Sequence, residues 1–191
     1  MTVATSPLAA HGQSAQVALT LREWPFRGHL NLRGQPDEAA FVQAVQAAAG
    51  AALPLTPNTV ATGNDVTALW LGPDEWLLVT APEGQRELEQ ALNDKLDDLF
   101  AAVTDVSSYY TTIEVAGSAA ADLLARGTAL DLHPRAFHTG ACAQTLLAKT
   151  AATIVKTADT PVFEVIVRVS FADYLWRWLQ DGAAVMAAAD A

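Results

Sequence analysis

The spacing of hydrophobic residues in the first half of the chain predicts strands that alternate with helices. Residues 29–33 alternate, with Leu30 and Leu32 on one face, which is typical of a half-buried strand. Pro36, followed by two acidic residues, favours the first turn of a helix, and that helix is expected to end at Gly50.

Two apolar, β-rich runs, 66–71 and 76–80, lie on either side of the sequence Gly-Pro-Asp-Glu, which predicts a hairpin. A helix is predicted over 85–100, because its leucines recur at intervals of four, four and three positions. The acidic residues of this helix fall on its other faces, and we interpret them as a solvated surface.

The second half of the chain shows the same order of elements. We predict a strand over 111–115, a helix over 118–126 with Ser118 as its cap, and strands near 143–148 and 162–168. A closing helix is expected to begin at Ser170, because Ser170 and the acidic residue three positions later have the spacing of a capping box. Its predicted apolar stripe contains Phe171, Tyr174, Leu175, Trp178 and Leu179.

Both halves therefore follow the order strand, helix, strand, strand, helix. The strand-closing residues Gly34 and Gly117 lie 83 positions apart, which is close to the offset between the last helices of the two halves. We interpret this regularity as an internal duplication. The alternative is that this order of elements is simply common among α+β domains.

The predicted organisation is a single α+β domain over 17–182, made of two half-repeats at about 17–102 and 103–182. Residues 1–16 mix small and polar types without periodicity, so they are predicted to form a flexible tail. Residues 183–191 are predicted to be an Ala-rich C-terminal tail.

Composition narrows the class of protein. Hydrophobic residues make up 51% and charged residues 17% of the 191 positions, as expected of a globular protein. The formal net charge of −10 opposes a phosphate backbone, so nucleic acid is not an expected partner. One cysteine, Cys142, excludes an internal disulfide. We expect a cytoplasmic location, because neither a signal peptide nor a membrane-spanning apolar run is recognisable.

A zinc site is the sharpest metal hypothesis, since Asp131, His133, His138 and Cys142 lie within a short stretch. The spacing lacks the usual paired ligands, and Pro134 favours an extended turn. We therefore interpret these side chains as loop hydrogen-bonding groups. Cys142 is interpreted as a packed core residue, with a nucleophile activated by His138 as the alternative.

No catalytic or cofactor-binding residue is assigned. The chain has no G-x-S-x-G elbow, and Ser118 and Ser170 are better explained as helix caps. It also has no G-x-G-x-x-G and no G-x-x-x-x-G-K-[ST], so a way to bind a dinucleotide or a triphosphate is not visible.

Trp176 and Trp178 are two positions apart on the closing helix and cannot share one face. Because Trp178 belongs to the predicted stripe, Trp176 is a candidate exposed anchor, and Trp is enriched at interface hot spots. The alternative is that Trp176 packs under the N-terminal segment.

Several continuous strings of the chain resemble the gamma subunit of heterotetrameric sarcosine oxidase. They are LGPDEWLL at 71–78, TDVS at 104–107, LDLHPRAF at 130–137, CAQTLLAK at 142–149 and SFADYLWRWL at 170–179. The resemblance extends over nearly the whole chain. It implies a fold similar to the aminomethyltransferase of the glycine cleavage system, a folate-binding architecture.

The resemblance implies a subunit of an enzyme that oxidatively demethylates sarcosine to glycine, with hydrogen peroxide and one-carbon transfer to tetrahydrofolate. The implied partners are the alpha, beta and delta subunits. FAD, FMN, NAD and zinc are expected on those subunits and not on this chain. The transferase's Gly-Gly turn and acidic pair have no counterpart over 142–160, where Asp159 stands alone, so we expect a non-catalytic subunit.

We predict two contact surfaces for the other subunits. The first is the loop with Asp131, His133, Pro134 and Arg135, and the second is the 70–76 hairpin. The full set of predicted interface residues is Trp70, Asp74, Trp76, Asp131, His133, Pro134, Arg135 and Trp176. Two alternatives remain: a free-standing folate-binding protein, and the gamma subunit of a related enzyme that oxidises N-methylglutamate or dimethylglycine.

Overall fold

A computed structural model describes residues 4–16 and 18–189. The strands in these ranges are β1 Ser14–Gln16, β2 Leu19–Trp24, β3 Arg27–Arg33, β4 Val60–Thr62, β5 Val66–Gly72, β6 Glu75–Pro82, β7 Ala102–Asp105, β8 Tyr110–Ala116, β9 Cys142–Leu147, β10 Thr150–Ala158 and β11 Val162–Arg168. The helices are α1 Ala39–Ala49, α2 Gly84–Leu96, α3 Ala120–Ala125 and α4 Val169–Ala189.

The chain divides into two compact units. Unit 1 contains Met1–Pro25 and Tyr109–Ala191, and unit 2 contains Phe26–Ser108. The border between Ser108 and Tyr109 lies close to the predicted border between half-repeats, but residues up to Pro25 belong with the second half of the chain. The internal duplication stays a prediction.

Unit 1 is built on a six-stranded antiparallel sheet in the order β1-β2-β8-β11-β10-β9. In the central pair, Ile113 lies opposite Val165, and both are fully buried. Their side chains belong to a core that α3 and α4 complete with Leu123, Leu175 and Trp176. The predicted strands at 111–115, 143–148 and 162–168 are confirmed as β8, β9 and β11.

The predicted closing helix is confirmed as α4, and its predicted face is right at Leu175 and Leu179 but wrong at Phe171 and Tyr174. The buried residues of α4 are Ala172, Leu175, Trp176, Leu179 and Ala183. This stripe follows the helical period and uses alanine at its ends. Phe171 and Tyr174, which were predicted to be core residues, are 40% and 36% exposed.

The ends of α4 and the start of α3 also differ from the predictions. Ser170 lies within α4 and does not cap it, because the helix already begins at Val169. The helix continues to Ala189, so it includes most of the predicted C-terminal tail. In α3 the cap is Ala119, without a side-chain hydrogen bond, and not Ser118.

The N-terminal segment is not a flexible tail over its described residues, 4–16. Its strand β1 pairs with β2, and Leu8 is 2% exposed within the core of unit 1. Nε2 of His11 lies 2.7 Å from Oδ1 of Asp173 on α4. A single buried leucine among small and polar residues produces no periodic pattern, so spacing does not predict the strand in this segment.

Unit 2 is built on a five-stranded antiparallel sheet in the order β4-β5-β6-β3-β7. The predicted strand at 29–33, the 66–80 hairpin and both predicted helices are confirmed. Gly50 ends α1 in a left-handed conformation with φ 60°. Helix α2 ends at Leu96, earlier than predicted, and Phe100 is 81% exposed. The core includes Leu30, Leu32, Phe41, Trp76, Leu78 and Leu92.

Candidate functional site

The loop that carries four of the predicted contact residues is held at both ends by buried side chains. Leu132 and Phe137 are each 4% exposed and belong to the core of unit 1. Phe137 also stacks on Phe163, with ring centroids 6.4 Å apart. Asp131, His133, Pro134 and Arg135 are all exposed. The apolar anchors thus fix the position of the loop while its polar residues face outward.

Hydrogen bonds within this loop fix its conformation. The backbone N–H of His133 donates to Oδ1 of Asp131 at 2.9 Å, an Asx turn. Nδ1 of His133 accepts from the backbone N–H of Arg135 at 3.2 Å and lies 3.4 Å from its Nε. The backbone carbonyl of His133 accepts from the N–H groups of Ala136 and Phe137, both at 2.8 Å. These hydrogen bonds therefore hold the polar residues of the loop in place without a partner subunit.

The second predicted contact surface, the β5–β6 hairpin, is only partly exposed. Trp76 is fully buried in the core of unit 2, where its Nε1 donates to the carbonyl of Pro54 at 2.7 Å. Its prediction as a contact residue is therefore wrong, because strand alternation places it with Leu30 and Leu78 on the core face. Trp70 is half-buried against the same core.

Asp74 at the tip of the hairpin is exposed but already engaged. Nη2 of Arg33 donates to Oδ2 of Asp74 at 2.7 Å, and Nη1 of Arg33 lies 3.4 Å from Oε2 of Glu75. The hydrogen bond from Arg33 lowers the pKa of Asp74, and the same bond raises the pKa of Arg33. Arg33 thus pairs with both carboxylates at the tip of the hairpin within unit 2.

Trp176 is fully buried in the core of unit 1, so its prediction as an exposed anchor is wrong. The His11 ring lies over it, with centroids 5.9 Å apart. This is the alternative arrangement, in which Trp176 packs under the N-terminal segment. Within the described ranges, Nε1 of Trp176 has no hydrogen-bond partner.

The TDVS string forms a polar cluster with β3 in unit 2. Oδ1 of Asp105 accepts from the backbone N–H of Ser107 at 2.8 Å and from its Oγ at 2.5 Å. Oγ of Ser107 accepts from the backbone N–H of His29 at 2.9 Å, and the His29 carbonyl accepts from the N–H of Val106 at 2.9 Å. The string therefore extends the sheet beyond β7 and ties its end to β3.

His29 is fully buried at the centre of this cluster. Burial lowers the pKa of His29 from 6.5 to about 4, with a smaller contribution from the charge of Arg27. The imidazole is therefore neutral at pH 7. Sequence reasoning missed His29, because its contacts with Ser107 join residues 78 positions apart.

Other chemistry considered from the sequence finds little geometric support. Among the described residues, no three His, Cys, Asp or Glu side chains are grouped so that they could hold a metal ion. Cys142 is fully buried at the start of β9. None of the helices in the described part of the chain combines the length and the hydropathy needed to cross a membrane.

Comparison with known proteins identifies the family. Residues 33–185 match the sarcosine oxidase gamma subunit family. The chain belongs to this family. The sarcosine oxidase subunit gamma of Corynebacterium sp. (strain U-96) is 35% identical over 188 residues, which cover 96% of this chain and 90% of that protein. Its counterpart from Arthrobacter sp is 36% identical over 176 residues, covering 90% and 83% of the two chains.

The fold agrees with this family. A chain of the heterotetrameric sarcosine oxidase from Corynebacterium sp. U-96, in complex with pyrrole 2-carboxylate, matches with a TM-score of 0.85 and 31% identity, covering 95% of each chain. The glycine cleavage system aminomethyltransferase T from Bartonella henselae matches with a TM-score of 0.63 and 14% identity, covering 86% of this chain and 46% of that chain. The predicted resemblance and the aminomethyltransferase-like α+β fold are confirmed.

Proposed function

We propose that this chain is the non-catalytic gamma subunit of a cytoplasmic, heterotetrameric sarcosine oxidase and that it stabilises the assembly. The enzyme oxidatively demethylates sarcosine to glycine, forms hydrogen peroxide and transfers the one-carbon unit to tetrahydrofolate. The alpha, beta and delta subunits are its partners and carry FAD, FMN, NAD and zinc. The structural match to a chain of a heterotetrameric sarcosine oxidase, over nearly the full length of both chains, carries this proposal.

Several side chains that could be reactive form hydrogen bonds with nearby residues of this chain, which supports a structural role. Asp159, the lone acidic residue near the position of the transferase's catalytic Asp, accepts from Oγ1 of Thr139 at 2.8 Å. This bond fastens the end of the 131–139 loop to the turn after β10. Asp105 and Ser107 fix the end of β7 in the same way.

The 131–135 loop is the contact surface that the geometry supports best. Its side chains are exposed and its backbone is fixed by hydrogen bonds, so little conformational freedom is lost on binding. No Asp or Glu lies between Asp131 and Asp159, although the whole chain has a net charge of −10. The cation of Arg135 therefore suits an acidic surface on a partner subunit.

The proposal is tested by an affinity pull-down of the tagged chain from its native cells, with flavin absorbance and protein bands recorded for the eluate. We expect a yellow eluate with two larger chains and one small chain, and turnover of sarcosine in preference to N-methylglutamate and dimethylglycine. A colourless eluate with this chain alone would contradict the proposal. Folate binding by that isolated chain would then favour a free-standing folate-binding protein.

Charge reversal tests the loop. Arg135→Glu is expected to weaken recovery of the partner chains by about tenfold or more, because it places like charges together. Arg126→Glu changes another exposed arginine of unit 1 by the same two charges and is the control. Equal recovery of the partner chains with Arg135→Glu and Arg126→Glu would show that the loop is not part of the interface.

A further inference from the structure

One lysine of unit 1 is buried without a carboxylate to pair with. Lys156 in β10 is 4% exposed, and among the described Lys, Arg, Asp and Glu residues it is the only buried one. No described residue forms a hydrogen bond or an ion pair with its ammonium. Lysine side chains are almost never buried to this extent unless they are paired. Lys156 is therefore a cation that lacks a counter-charge within the described chain.

The register of the sheet places the Lys156 side chain on the core face of unit 1. Lys156 lies directly opposite Phe163 in the antiparallel pair of β10 and β11, and opposite residues share a face. Phe163 belongs to the core and stacks on Phe137, which anchors the 131–139 loop. The stem of Lys156 therefore lies on the apolar side of the sheet, and its ammonium can reach solvent only at the margin of that core.

Backbone hydrogen bonds hold Lys156 against the residues that follow the same loop. Its N–H donates to the carbonyl of Ala141 at 3.0 Å, and its carbonyl accepts from the N–H of Gly140 at 2.9 Å. A β-bulge follows directly, between Lys156 and Ala158. Bulges change the direction of side chains and are common beside functional sites. Because the backbone is fixed and the stem is buried, the ammonium loses little conformational freedom when it binds an anion.

Two carboxylates are close to Lys156 in sequence, and neither pairs with it. Asp159 accepts from Oγ1 of Thr139 at 2.8 Å. Glu164 is the only acidic residue of β9, β10 and β11. It lies opposite Val155, so its side chain is on the other face of the sheet. The counter-charge of Lys156 is therefore expected from another molecule.

We propose that Lys156 binds a carboxylate of a partner subunit at the margin of the unit 1 core, beside the 131–139 loop. This inference rests on the proposed function, because the partner is a chain of the same assembly. The exposed Arg135 attracts an acidic surface, and Lys156 then pairs with one carboxylate of that surface where little water remains. A charge-assisted hydrogen bond in such surroundings is stronger than one at an exposed surface.

Lys156→Met tests this site, because methionine keeps an unbranched apolar side chain and removes the charge. The ammonium has no partner in the free chain, so the melting temperature should stay the same or rise by roughly 2–4 °C. Recovery of the partner chains in the pull-down should fall by about tenfold or more, because the partner's carboxylate is left unpaired. Lys149→Met removes the same charge from an exposed position of the β9–β10 hairpin and is the matched control.

Salt separates the contact at Lys156 from the contact at the exposed loop. In about 1 M salt the Debye length is only about 3 Å, so the difference in recovery between the unmodified chain and Arg135→Glu should shrink. The difference between the unmodified chain and Lys156→Met should persist, because a partly buried ion pair is screened much less. Equal shrinkage of the two differences would make Lys156 an ordinary surface contact and contradict the proposal.

The outcomes distinguish this inference from the proposed function. If the unmodified chain recovers no flavin-containing partner, the proposed function fails and this inference fails with it. If Lys156→Met and Lys149→Met recover the partners equally, the inference alone is wrong. A fall in melting temperature that parallels the loss of assembly would show instead that Lys156 supports the fold. If acetate, but not chloride, raises the melting temperature of the unmodified chain and not that of Lys156→Met, the site takes a free carboxylate and its assignment to a partner subunit is overturned.

Discussion

Both units combine an antiparallel sheet with two helices, yet they end comparable strands in different ways. Gly117 follows β8 with φ 121°, and a Cβ there would overlap the backbone carbonyl of Ala18. Gly34 follows β3 without a positive φ, and the atoms nearest to a Cβ there would be those of the Phe41 ring. A similar order of elements therefore does not imply similar local constraints. In unit 1, backbone atoms leave no room for a Cβ on Gly117. In unit 2, a side chain occupies the space that a Cβ on Gly34 would need.

The cores of the two units also differ in how they accommodate a buried indole. Trp76 donates its N–H to the carbonyl of Pro54 in unit 2. Trp176 is equally buried in unit 1, but its N–H has no partner among the described residues. Burial without a hydrogen bond destabilises a polar group. The buried indole of unit 1 therefore carries a desolvation cost that the buried indole of unit 2 avoids.

The largest expected effect is at the strand-closing glycine of unit 1. Gly117→Ala should lower the free energy of unfolding by on the order of 4 kcal/mol, because it adds strained backbone to a backbone collision. Gly140→Ala is the control, since Gly140 has φ 83° but open space around it. Urea denaturation should show a much smaller loss for Gly140→Ala, and equal losses would contradict the role of Ala18.

A pH dependence is expected from His29 in unit 2. Its folded pKa of about 4 lies below the usual histidine pKa of 6.5, so the unfolded chain binds a proton first as the pH falls. The free energy of unfolding should therefore be maintained above pH 6.5 and fall by about 3 kcal/mol as the pH approaches 4.

Urea denaturation of the full chain at several pH values measures this effect. His29→Gln removes the titrating group and serves as the control, because all carboxylates remain in place. The difference in the free energy of unfolding between the unmodified chain and His29→Gln should shrink by about 3 kcal/mol between pH 7 and pH 4. A constant difference would exclude a buried, neutral His29.

The tryptophans provide a smaller and closely matched comparison. Trp76→Phe should cost about 2 kcal/mol, because it leaves the carbonyl of Pro54 without its donor in addition to lost volume. Trp176→Phe should cost only about 1 kcal/mol, because it also removes an N–H that has no described partner. Thermal and urea unfolding of both variants would test this order. A larger loss of stability for Trp176→Phe than for Trp76→Phe would contradict it.

The smallest expected effect is at the contact between the N-terminal segment and α4. Hydrogen bonds from His11 and then Arg177 lower the pKa of Asp173. Asp173→Asn should leave the melting temperature nearly unchanged, because the contact is exposed, but should accelerate amide exchange in β1. Asp181→Asn, another exposed acidic residue of α4, is the control. Unchanged exchange in β1 would show that Asp173 does not hold the segment.

Elements with regular spacing could be predicted from the sequence. The leucines of α2 recur at helical intervals, and three of them, Leu88, Leu92 and Leu96, are buried as that spacing implies. Strand β10 was not predicted, because alanine and threonine dominate its first half and the apolar alternation is weak. Spacing alone did not decide which tryptophan of α4 is buried, because Trp176 and Trp178 support alternative stripes; Trp176 lies in the core, under the His11 ring of the N-terminal segment.

Sites were harder to predict than elements, since they depend on contacts between distant positions. The exposed loop at 131–135 could be recognised from Pro134 and its polar neighbours, because its turn is formed by local hydrogen bonds. The cluster of His29 with Ser107 joins β3 to the residues that follow β7, so no local pattern predicts it.

The discontinuous composition of unit 1 has a consequence for biosynthesis. Unit 2 is one continuous segment, so all its residues have left the ribosome once Ser108 has emerged. Strands β1 and β2 are made first, but β8, which pairs with β2, is about ninety positions later, and α4 is the last element to appear. During translation, unit 2 can fold while the edge of β2 that pairs with β8 still lacks its partner strand. The nascent chain is therefore most exposed to aggregation in the interval between the synthesis of β2 and that of β8.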